Sequence, residues 1–199
     1  MSAPDAVAMR GAISGIQIGA CLIEIVELTA RRGSTSEFVA LAHARDIVLP
    51  AFGRVAASAD QLALCVRPDR WLLLTPPSTA VPGAVHAGWQ EAAAGVGVAI
   101  DLSSGFTALL LAGPRVREVL ARSCRVDLDQ QFFPAGHAAA TIMAQVSVIL
   151  AALPAGMLLL TPASTARHFR EWLAAAAKPF GLMPQSLISV ADLCRSDSG

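Results

Sequence analysis

A nine-residue segment occurs twice in this chain, and this internal repeat limits the possible folds more than any other feature. Residues 72–80 read LLLTPPSTA and residues 158–166 read LLLTPASTA, so eight of the nine positions are identical at an offset of 86. In each copy an apolar run ends at Thr-Pro, where proline cannot continue a β-ladder, and Ser and Thr follow as helix-capping residues. Each copy therefore predicts a strand that leads into a helix, and Trp89 and Trp172 follow in the two predicted helices.

The residues before each copy repeat the same pattern. Residues 61–66 and 144–150 predict strands, and the segments Pro68-Asp69-Arg70 and Pro154-Ala155-Gly156 predict turns. Apolar runs joined by such turn residues are typical of β-hairpins. Each repeat is therefore predicted to be a hairpin followed by a helix.

A strand and a helix precede the first hairpin. Residues 16–28 alternate in polarity and predict one long strand. Residues 34–37, Ser-Thr-Ser-Glu, match a capping box, and Phe38, Leu41 and Ala42 then lie on one face of the predicted helix.

A strand and a helix also precede the second hairpin. Residues 106–112 predict the strand, and Gly113-Pro114 predicts the helix start, with Pro114 in the first turn. The apolar face of this helix is predicted to be Val116, Val119 and Leu120. Its water-facing residues are predicted to be Arg115, Arg117, Glu118 and Arg122.

The predicted element order is thus β-α-β-β-α, twice. Two such units predict an α+β fold with mainly antiparallel sheets and helices on one side of each sheet. We expect one domain made of two similar halves, at residues 12–96 and 97–182. A C-terminal tail is expected at 183–199, and its last residues, 195–199, are polar and predicted to fray.

The composition predicts that part of the surface is covered by something other than water. Hydrophobic residues make up 54% of the chain and charged residues 15%, whereas soluble domains average about 45–50% and about 25%. Either a membrane or a permanent partner would cover such a surface. Pro154-Ala155-Gly156 interrupts the uncharged stretch 130–166, and the polar residues His137, Thr141, Gln145 and Ser147 are scattered through it, so its apolar runs are shorter than a spanning helix needs. The N-terminus shows no signal-peptide pattern. We therefore expect a cytoplasmic protein with a buried partner interface.

Charge and cysteine spacing argue against two further classes of protein, those that bind nucleic acid and those that hold a metal through cysteines. The net charge is zero and no basic stripe is present, which gives no support for a nucleic-acid partner. Cys21, Cys65, Cys124 and Cys194 lie far apart, without metal-ligand spacing. They are expected to be small buried hydrophobic residues in a reducing compartment.

Candidate catalytic and binding motifs are incomplete. Gly95-Val96-Gly97 precedes a predicted strand, whereas a dinucleotide fingerprint follows one, and residues 103–105 form no nucleophile elbow. His137 could act as a base but has no acidic orienter in the sequence, and a surface or interface role is favoured. Asp127 and Asp129 lack the rest of a calcium loop and predict a solvated turn. We therefore predict no catalytic, cofactor-binding or metal-ligating residue.

Five residues are candidates for an interface with another chain. Arg and Trp are enriched among interface anchors, and Arg70-Trp71 lies at a predicted hairpin turn. A core Trp beside a turn Arg is an equally good interpretation of that pair, and both remain open. The candidate interface residues are Arg70, Trp71, Phe132, Phe133 and His137.

The central part of the chain resembles the gamma subunit family of sarcosine oxidase. The similarity extends over about residues 61–182, and its most specific motifs are D-L-S, L-x-G-P, V-L-A-x-x-C-x-x-D-L and F-P-x-G, followed by a Thr. In this chain they are residues 101–103, 111–114, 119–128, 133–136 and Thr141. Three positions depart from the family, which often has His at position 104 and Lys-Gly at 122–123, where this chain has Ser104 and Arg122-Ser123.

The resemblance implies a fold similar to the folate-binding domain of the glycine-cleavage aminomethyltransferase. It also implies a non-catalytic subunit of a heterotetramer that oxidatively demethylates sarcosine or a related N-methyl amine and passes the one-carbon unit to tetrahydrofolate. The beta-type partner would hold FAD and FMN, the alpha-type partner NAD and tetrahydrofolate, and the delta-type partner is a small zinc protein. The family has no known catalytic residue in this subunit.

An alternative from the same superfamily is a stand-alone protein that binds tetrahydrofolate or transfers one-carbon units. Relatives with independent folate chemistry carry a K-G-C-x-x-G-Q-E type signature, which this chain lacks. The absence of that signature argues against this alternative.

Overall fold

A computed structural model describes residues 15–58, 60–78, 81–183 and 186–194. The N-terminal segment, the last two residues of the first repeat copy (Thr79 and Ala80) and the predicted frayed tail 195–199 lie outside the described residues. Among the described residues, no helix is long and apolar enough to cross a membrane.

Eleven strands and five α-helices are present in the described residues. The strands are β1 (Gln17–Cys21), β2 (Glu24–Ala30), β3 (Arg54–Ser58), β4 (Gln61–Arg67), β5 (Arg70–Thr75), β6 (Gly97–Asp101), β7 (Phe106–Ala112), β8 (Ala138–Met143), β9 (Val146–Leu153), β10 (Gly156–Pro162) and β11 (Ser186–Ile188). The helices are α1 (Thr35–His43), α2 (Ala84–Ala92), α3 (Val116–Ala121), α4 (Ala166–Ala177) and α5 (Val190–Cys194).

Two sheets with matching strand orders form the fold. The five-stranded sheet has the order β3-β4-β5-β2-β6, and the six-stranded sheet has the order β8-β9-β10-β7-β1-β11. All pairings are antiparallel except that of β1 with β11. The prediction of an α+β fold with a duplicated unit and mainly antiparallel sheets is confirmed; the residue boundaries of the two halves stay a prediction.

The sheets exchange one strand each, which the sequence did not predict. β1 precedes the five-stranded sheet in the chain but pairs with β7 in the six-stranded sheet. β6 begins the second predicted half of the chain but pairs with β2 in the five-stranded sheet. The chain then crosses to β7 in the six-stranded sheet. Because each sheet contains a strand from the other half of the chain, the two repeats form one unit.

The elements stack in four layers. The inner faces of the two sheets pack together through apolar residues such as Leu64 and Leu72 on one side and Leu158 and Leu160 on the other. Helices α1 and α2 cover the outer face of the five-stranded sheet, while α3 and α4 cover the outer face of the six-stranded sheet. The strands β4, β5, β9 and β10 are therefore buried on both faces, which explains their continuous apolar runs.

The predicted long strand at residues 16–28 is wrong. The chain forms β1 and β2 in different sheets, and the crossing at Leu22-Ile23 interrupts the pairing. The predicted strand at 144–150 also begins later, at Val146. Ala144 and Gln145 both have positive φ angles (50° and 65°) and form the two-residue turn of the β8–β9 hairpin.

At two helices the predicted N-terminal features differ from the structure. Ser34 is the N-cap of α1 but its side chain makes no capping hydrogen bond, so the predicted capping box is not formed. α3 begins at Val116, and Pro114 therefore precedes the helix. The predicted buried faces are confirmed at Phe38 and Ala42 of α1. On α3 they are confirmed at Val116, Val119 and Leu120.

The segment expected as a tail contains ordered structure. β11 pairs with β1, and α5 places Leu193, which is 1% exposed, in the core between the two sheets. The thiol of Cys194 donates a hydrogen bond to the Gln61 carbonyl oxygen at 3.4 Å. Helix α5 thus closes one opening of the inter-sheet space, beside the start of β4.

Candidate interaction surface

The D-L-S motif at residues 101–103 supports the crossing from β6 to β7. The Ser103 hydroxyl accepts the Ile25 N–H at 3.0 Å and donates to Asp101 Oδ1 at 2.6 Å. The same carboxylate oxygen accepts the Ser103 N–H at 2.9 Å. These hydrogen bonds lower the pKa of Asp101 below its usual value. The arrangement joins the crossing to β2, which gives the motif a structural role.

The loop at residues 122–137 is held against α3 by Arg117. This side chain donates to the carbonyl oxygens of Leu128 and, at 2.9 Å, of Phe133. Arg117 was predicted to face water, and that prediction is wrong because the guanidinium satisfies loop carbonyls instead. The side chains of Leu128 and Phe133 are buried, whereas Phe132 is 63% exposed.

Asp127 and Asp129 form turns within this loop. Asp127 Oδ1 accepts the Asp129 N–H at 2.9 Å, and Asp129 Oδ1 accepts the Gln131 N–H at 2.8 Å. Both residues are exposed. The predicted solvated turn is confirmed.

His137 lies where the edges of the two sheets meet. Its backbone bridges to Arg54 at the start of β3, and its ring lies 5.8 Å from that of Phe133. His137 Nδ1 is 3.1 Å from both Arg54 Nη1 and the Pro134 carbonyl oxygen. Since arginine only donates, Nδ1 accepts when it pairs with Arg54 and donates when it pairs with Pro134. The residue is half-buried and helps to join the two sheets.

Arg70 and Trp71 point to opposite faces of β5. Trp71 is 4% exposed; its Nε1 donates to the Pro50 carbonyl oxygen at 2.9 Å, and its ring stacks 5.9 Å from that of Phe38. Arg70 is exposed and lies 3.6 Å from Glu27 in an ion pair. For this pair the structure shows a core Trp beside a surface Arg.

The five candidate interface residues therefore fall into two groups. Arg70 and Trp71 lie together at the β4–β5 hairpin, and Phe132, Phe133 and His137 lie together around the 122–137 loop. Trp71 and Phe133 are buried within this chain, so only Arg70, Phe132 and His137 present side chains to the surface. Their contact with another chain stays a prediction.

A cavity lies between the two sheets and is lined by residues of β2, β4 and β5 on one side and of β7, β8, β9 and β10 on the other. Its volume is about 680 Å³. Its apolar wall includes Val66, Leu72, Leu102, Phe106, Ile142, Ile149 and Pro162. Its polar groups include Glu27, Arg67, Arg70, Arg125, Thr141 and Ser147. We call this space the cleft.

Sequence reasoning missed the cleft and its charged residues. Glu27 interrupts β2, whose other inward residues are apolar or small, and this is the signal that could have identified it. Arg67 and Arg125 gave no such signal because they occur at the end of a strand beside a turn and in a loop, where charged residues are common.

Exposed apolar side chains continue beside the cleft on β6. Ile100 pairs with Glu27 and Val98 with Thr29, so these side chains share the inner face of the five-stranded sheet. Val98 is 56% exposed and Ile100 47% exposed, because the six-stranded sheet does not extend over them. An apolar surface next to a cleft is typical of a surface that another molecule covers.

The cysteines show no sign of nucleophilic or metal chemistry. All four are free thiols; burial raises the pKa of Cys21 to about 12 and that of Cys194 to about 11, and it also raises the pKa of Cys65. A raised pKa keeps a thiol protonated and unreactive at neutral pH. Within the described ranges, no three His, Cys, Asp or Glu residues gather in a way that could hold a metal ion.

Solved structures of other proteins have folds similar to that of this chain. The chain superimposes on glycine cleavage system aminomethyltransferase T from Bartonella henselae with a TM-score of 0.61 and 15% identity, covering 90% of this chain and 49% of that one. It superimposes on a chain of the heterotetrameric sarcosine oxidase from Corynebacterium sp. U-96, in complex with pyrrole 2-carboxylate, with a TM-score of 0.75 and 28% identity, covering 90% of this chain and 94% of that one. The predicted aminomethyltransferase-like fold is confirmed.

Sequence comparison then identifies the family. The model of the sarcosine oxidase gamma subunit family matches residues 32–178, and the chain belongs to this family. Sarcosine oxidase subunit gamma of Corynebacterium sp. strain P-1 is 34% identical over 152 residues, covering 74% of this chain and 72% of the relative. That of strain U-96 is 32% identical over 156 residues, covering 77% and 74%. An Arthrobacter sp. subunit gamma is 34% identical over 99 residues, and the match spans only 47% of that relative.

Proposed function

We propose that this chain is a structural, non-catalytic subunit of a cytoplasmic, heterotetrameric sarcosine oxidase-like complex. The complex would oxidatively demethylate sarcosine or a related N-methyl amine and pass the one-carbon unit to tetrahydrofolate. The observation that carries the proposal is family membership over residues 32–178. The superposition on almost the whole of one chain of a heterotetrameric enzyme supports it further.

The physical properties of the surface support a permanent partner. The chain is 54% hydrophobic, and several large apolar side chains outside the core are more than half exposed. These are Leu22, Val48, Phe52, Val81, Val98, Phe132 and Leu187. A subunit that is always bound needs fewer charged residues on the faces that its partners cover.

The chemistry would belong to the partners. We expect an alpha-type subunit with NAD and tetrahydrofolate, a beta-type subunit with FAD and FMN, and a small delta-type zinc subunit. The motifs most specific to the family have structural roles in this chain: Ser103 supports a strand crossing, and the loop at 122–137 is anchored through Arg117. These roles support a subunit that stabilises and positions other chains.

Co-expression with and without the partner subunits tests the proposal. The chain alone is expected to be poorly soluble, colourless and inactive, because its apolar surface is uncovered. With the flavin-bearing and folate-bearing subunits it should co-purify in a stable complex that oxidises sarcosine or a related N-methyl amine. A soluble, monomeric chain with catalytic activity of its own would refute the proposal.

A second candidate function is stand-alone binding of tetrahydrofolate or one-carbon transfer. The cleft favours it in one respect, since about 680 Å³ lies in the range of small-molecule sites. Calorimetry of the isolated chain with tetrahydrofolate tests this candidate, and an absence of heat at high ligand concentration would eliminate it. The control is the same titration with Ile149→Trp, which would fill part of the cleft.

A further inference from the structure

The internal duplication relates the cleft to another opening of the inter-sheet space. The repeat makes Leu74 equivalent to Leu160, and these residues pair with Leu62 of β4 and Ile149 of β9, respectively. Leu62 and Ile149 are therefore equivalent positions in equivalent strands. The openings beside them are equivalent as well.

This chain fills one of these openings itself. Helix α5 lies against β4, and Leu193 belongs to the same apolar cluster as Leu62. The Cys194 thiol donates a hydrogen bond to the Gln61 carbonyl oxygen. Leu62 is consequently fully buried. At the equivalent position, Ile149 lines the cleft and is only partly buried. No element of the described residues covers it as α5 covers Leu62.

The two openings differ in charge. The register makes Glu27 equivalent to Leu110, because they pair with Leu72 and Leu158 of the repeat. Arg70 is equivalent to Gly156 by the 86-residue offset. The charged pair is thus a feature of the cleft alone, and Arg67 and Arg125 also line it. Three guanidinium groups against one carboxylate favour an occupant that carries negative charge.

We propose that the cleft receives a short apolar segment of another subunit, carrying at least one carboxylate, in the same way that α5 fills the equivalent opening. This inference rests on the proposed function, because it requires a partner chain. The apolar wall would bury one or two aliphatic or aromatic side chains of that segment. The carboxylate would lie near Arg125 and Arg70, and the exposed Val98 and Ile100 would continue the contact outside the cleft.

Site-specific photo-crosslinking in the co-expressed complex tests this contact. A benzoylphenylalanine at Ser147, which is exposed and lines the cleft, should crosslink to one contiguous segment of one partner subunit. The matched control is the same group at Arg167 of α4, which is 93% exposed on the outer side of the six-stranded sheet. Peptide mass spectrometry should identify the Ser147 segment as apolar with an acidic residue, and the Arg167 probe should not reach it.

Charge reversal gives an independent readout. Arg125→Glu should lower the yield of the co-purified complex about tenfold at low salt, since like charges across an interface oppose association. Arg167→Glu, the control, should change it less than about twofold. The total amount of each variant chain made in the cells should match that of the unmodified chain, which separates an effect on docking from an effect on folding.

The outcomes separate the two proposals. A complex that assembles normally while the Ser147 probe finds no partner segment would overturn this inference and leave the proposed function intact. A Ser147 crosslink to a second copy of this chain or to its own residues 1–14 would also overturn it. If no complex forms with the unmodified chain, both proposals fail.

Discussion

The two equivalent openings of the inter-sheet space show how one duplicated fold serves two purposes. Beside β4, helix α5 closes the opening with Leu193, and the wall residue Leu62 is fully buried. Beside β9, the equivalent Ile149 lines an open cleft with Glu27 and Arg70 at its mouth. The difference indicates that the closed opening stabilises the chain and that the open one is available for binding.

The largest expected effect is at a pair of equivalent positions, Gly156 and Arg70, whose backbone conformations differ. Gly156 has a φ of 142°, and a Cβ there would overlap the carbonyl oxygen of Leu111. Gly156→Ala should therefore lower the free energy of unfolding by more than about 3 kcal/mol. Urea denaturation measures this change in the free energy of unfolding. At the equivalent Arg70, which is exposed, Arg70→Ala should cost less than about 1 kcal/mol.

The wall residues give a second matched pair. Leu62→Ala removes a fully buried side chain and should cost about 3 kcal/mol. Ile149→Ala removes a partly buried one and should cost about 1 kcal/mol in the isolated chain, because solvent already reaches the cleft. Equal losses for the two variants in denaturant unfolding would mean that the cleft is closed in solution.

The two crossings between the sheets differ less from each other than the two openings do. The β1–β2 crossing needs only Leu22 and Ile23, whereas the β6–β7 crossing is four residues long and depends on the Ser103 hydroxyl. Ser103→Ala leaves the Ile25 N–H without that acceptor and should lower the free energy of unfolding by about 1–2 kcal/mol. Ser104→Ala, next to it, is the control. A thermal melt in which both variants match the unmodified chain would contradict the assigned role.

The smallest expected effect is a pH dependence at the same crossing. The Ser103 hydrogen bonds lower the pKa of Asp101 below 3.8. The carboxylate's contribution to stability is therefore fully present above about pH 4 and is lost as the pH falls below that value through the folded-state pKa. Because Asp101 is exposed, the contribution is small. The stability difference between the unmodified chain and Asp101→Asn should shrink on acidification between about pH 5 and pH 3; a constant difference would disprove the linkage.

The sequence predicted local structure best where periodicity and turn residues agreed. The repeat at 72–80 and 158–166 predicted both hairpin-to-helix units, and the apolar spacing of α3 predicted its buried face at Val116, Val119 and Leu120. The family resemblance through residues 101–136 predicted the overall fold. Each of these signals depends on neighbours in sequence or on a long motif.

Features that depend on distant contacts were not predictable in this way. The apolar residues of 16–28 continue through the crossing at Leu22-Ile23 without a turn residue, so one strand was expected where the chain changes sheets. Arg117 looks solvent-facing by helical position, but the loop carbonyls that it binds come from 11 and 16 residues away. The cleft forms only when both sheets pack, and its charged residues are scattered from Glu27 to Arg125.

The most direct test of the account is native mass spectrometry of this chain co-expressed with its flavin-bearing and folate-bearing partners. We expect a complex that contains one copy of this chain with the other subunits and loses it when the cleft is altered by Arg125→Glu but not by Arg167→Glu. A chain that remains monomeric, soluble and separate while the other subunits assemble without it would contradict the account.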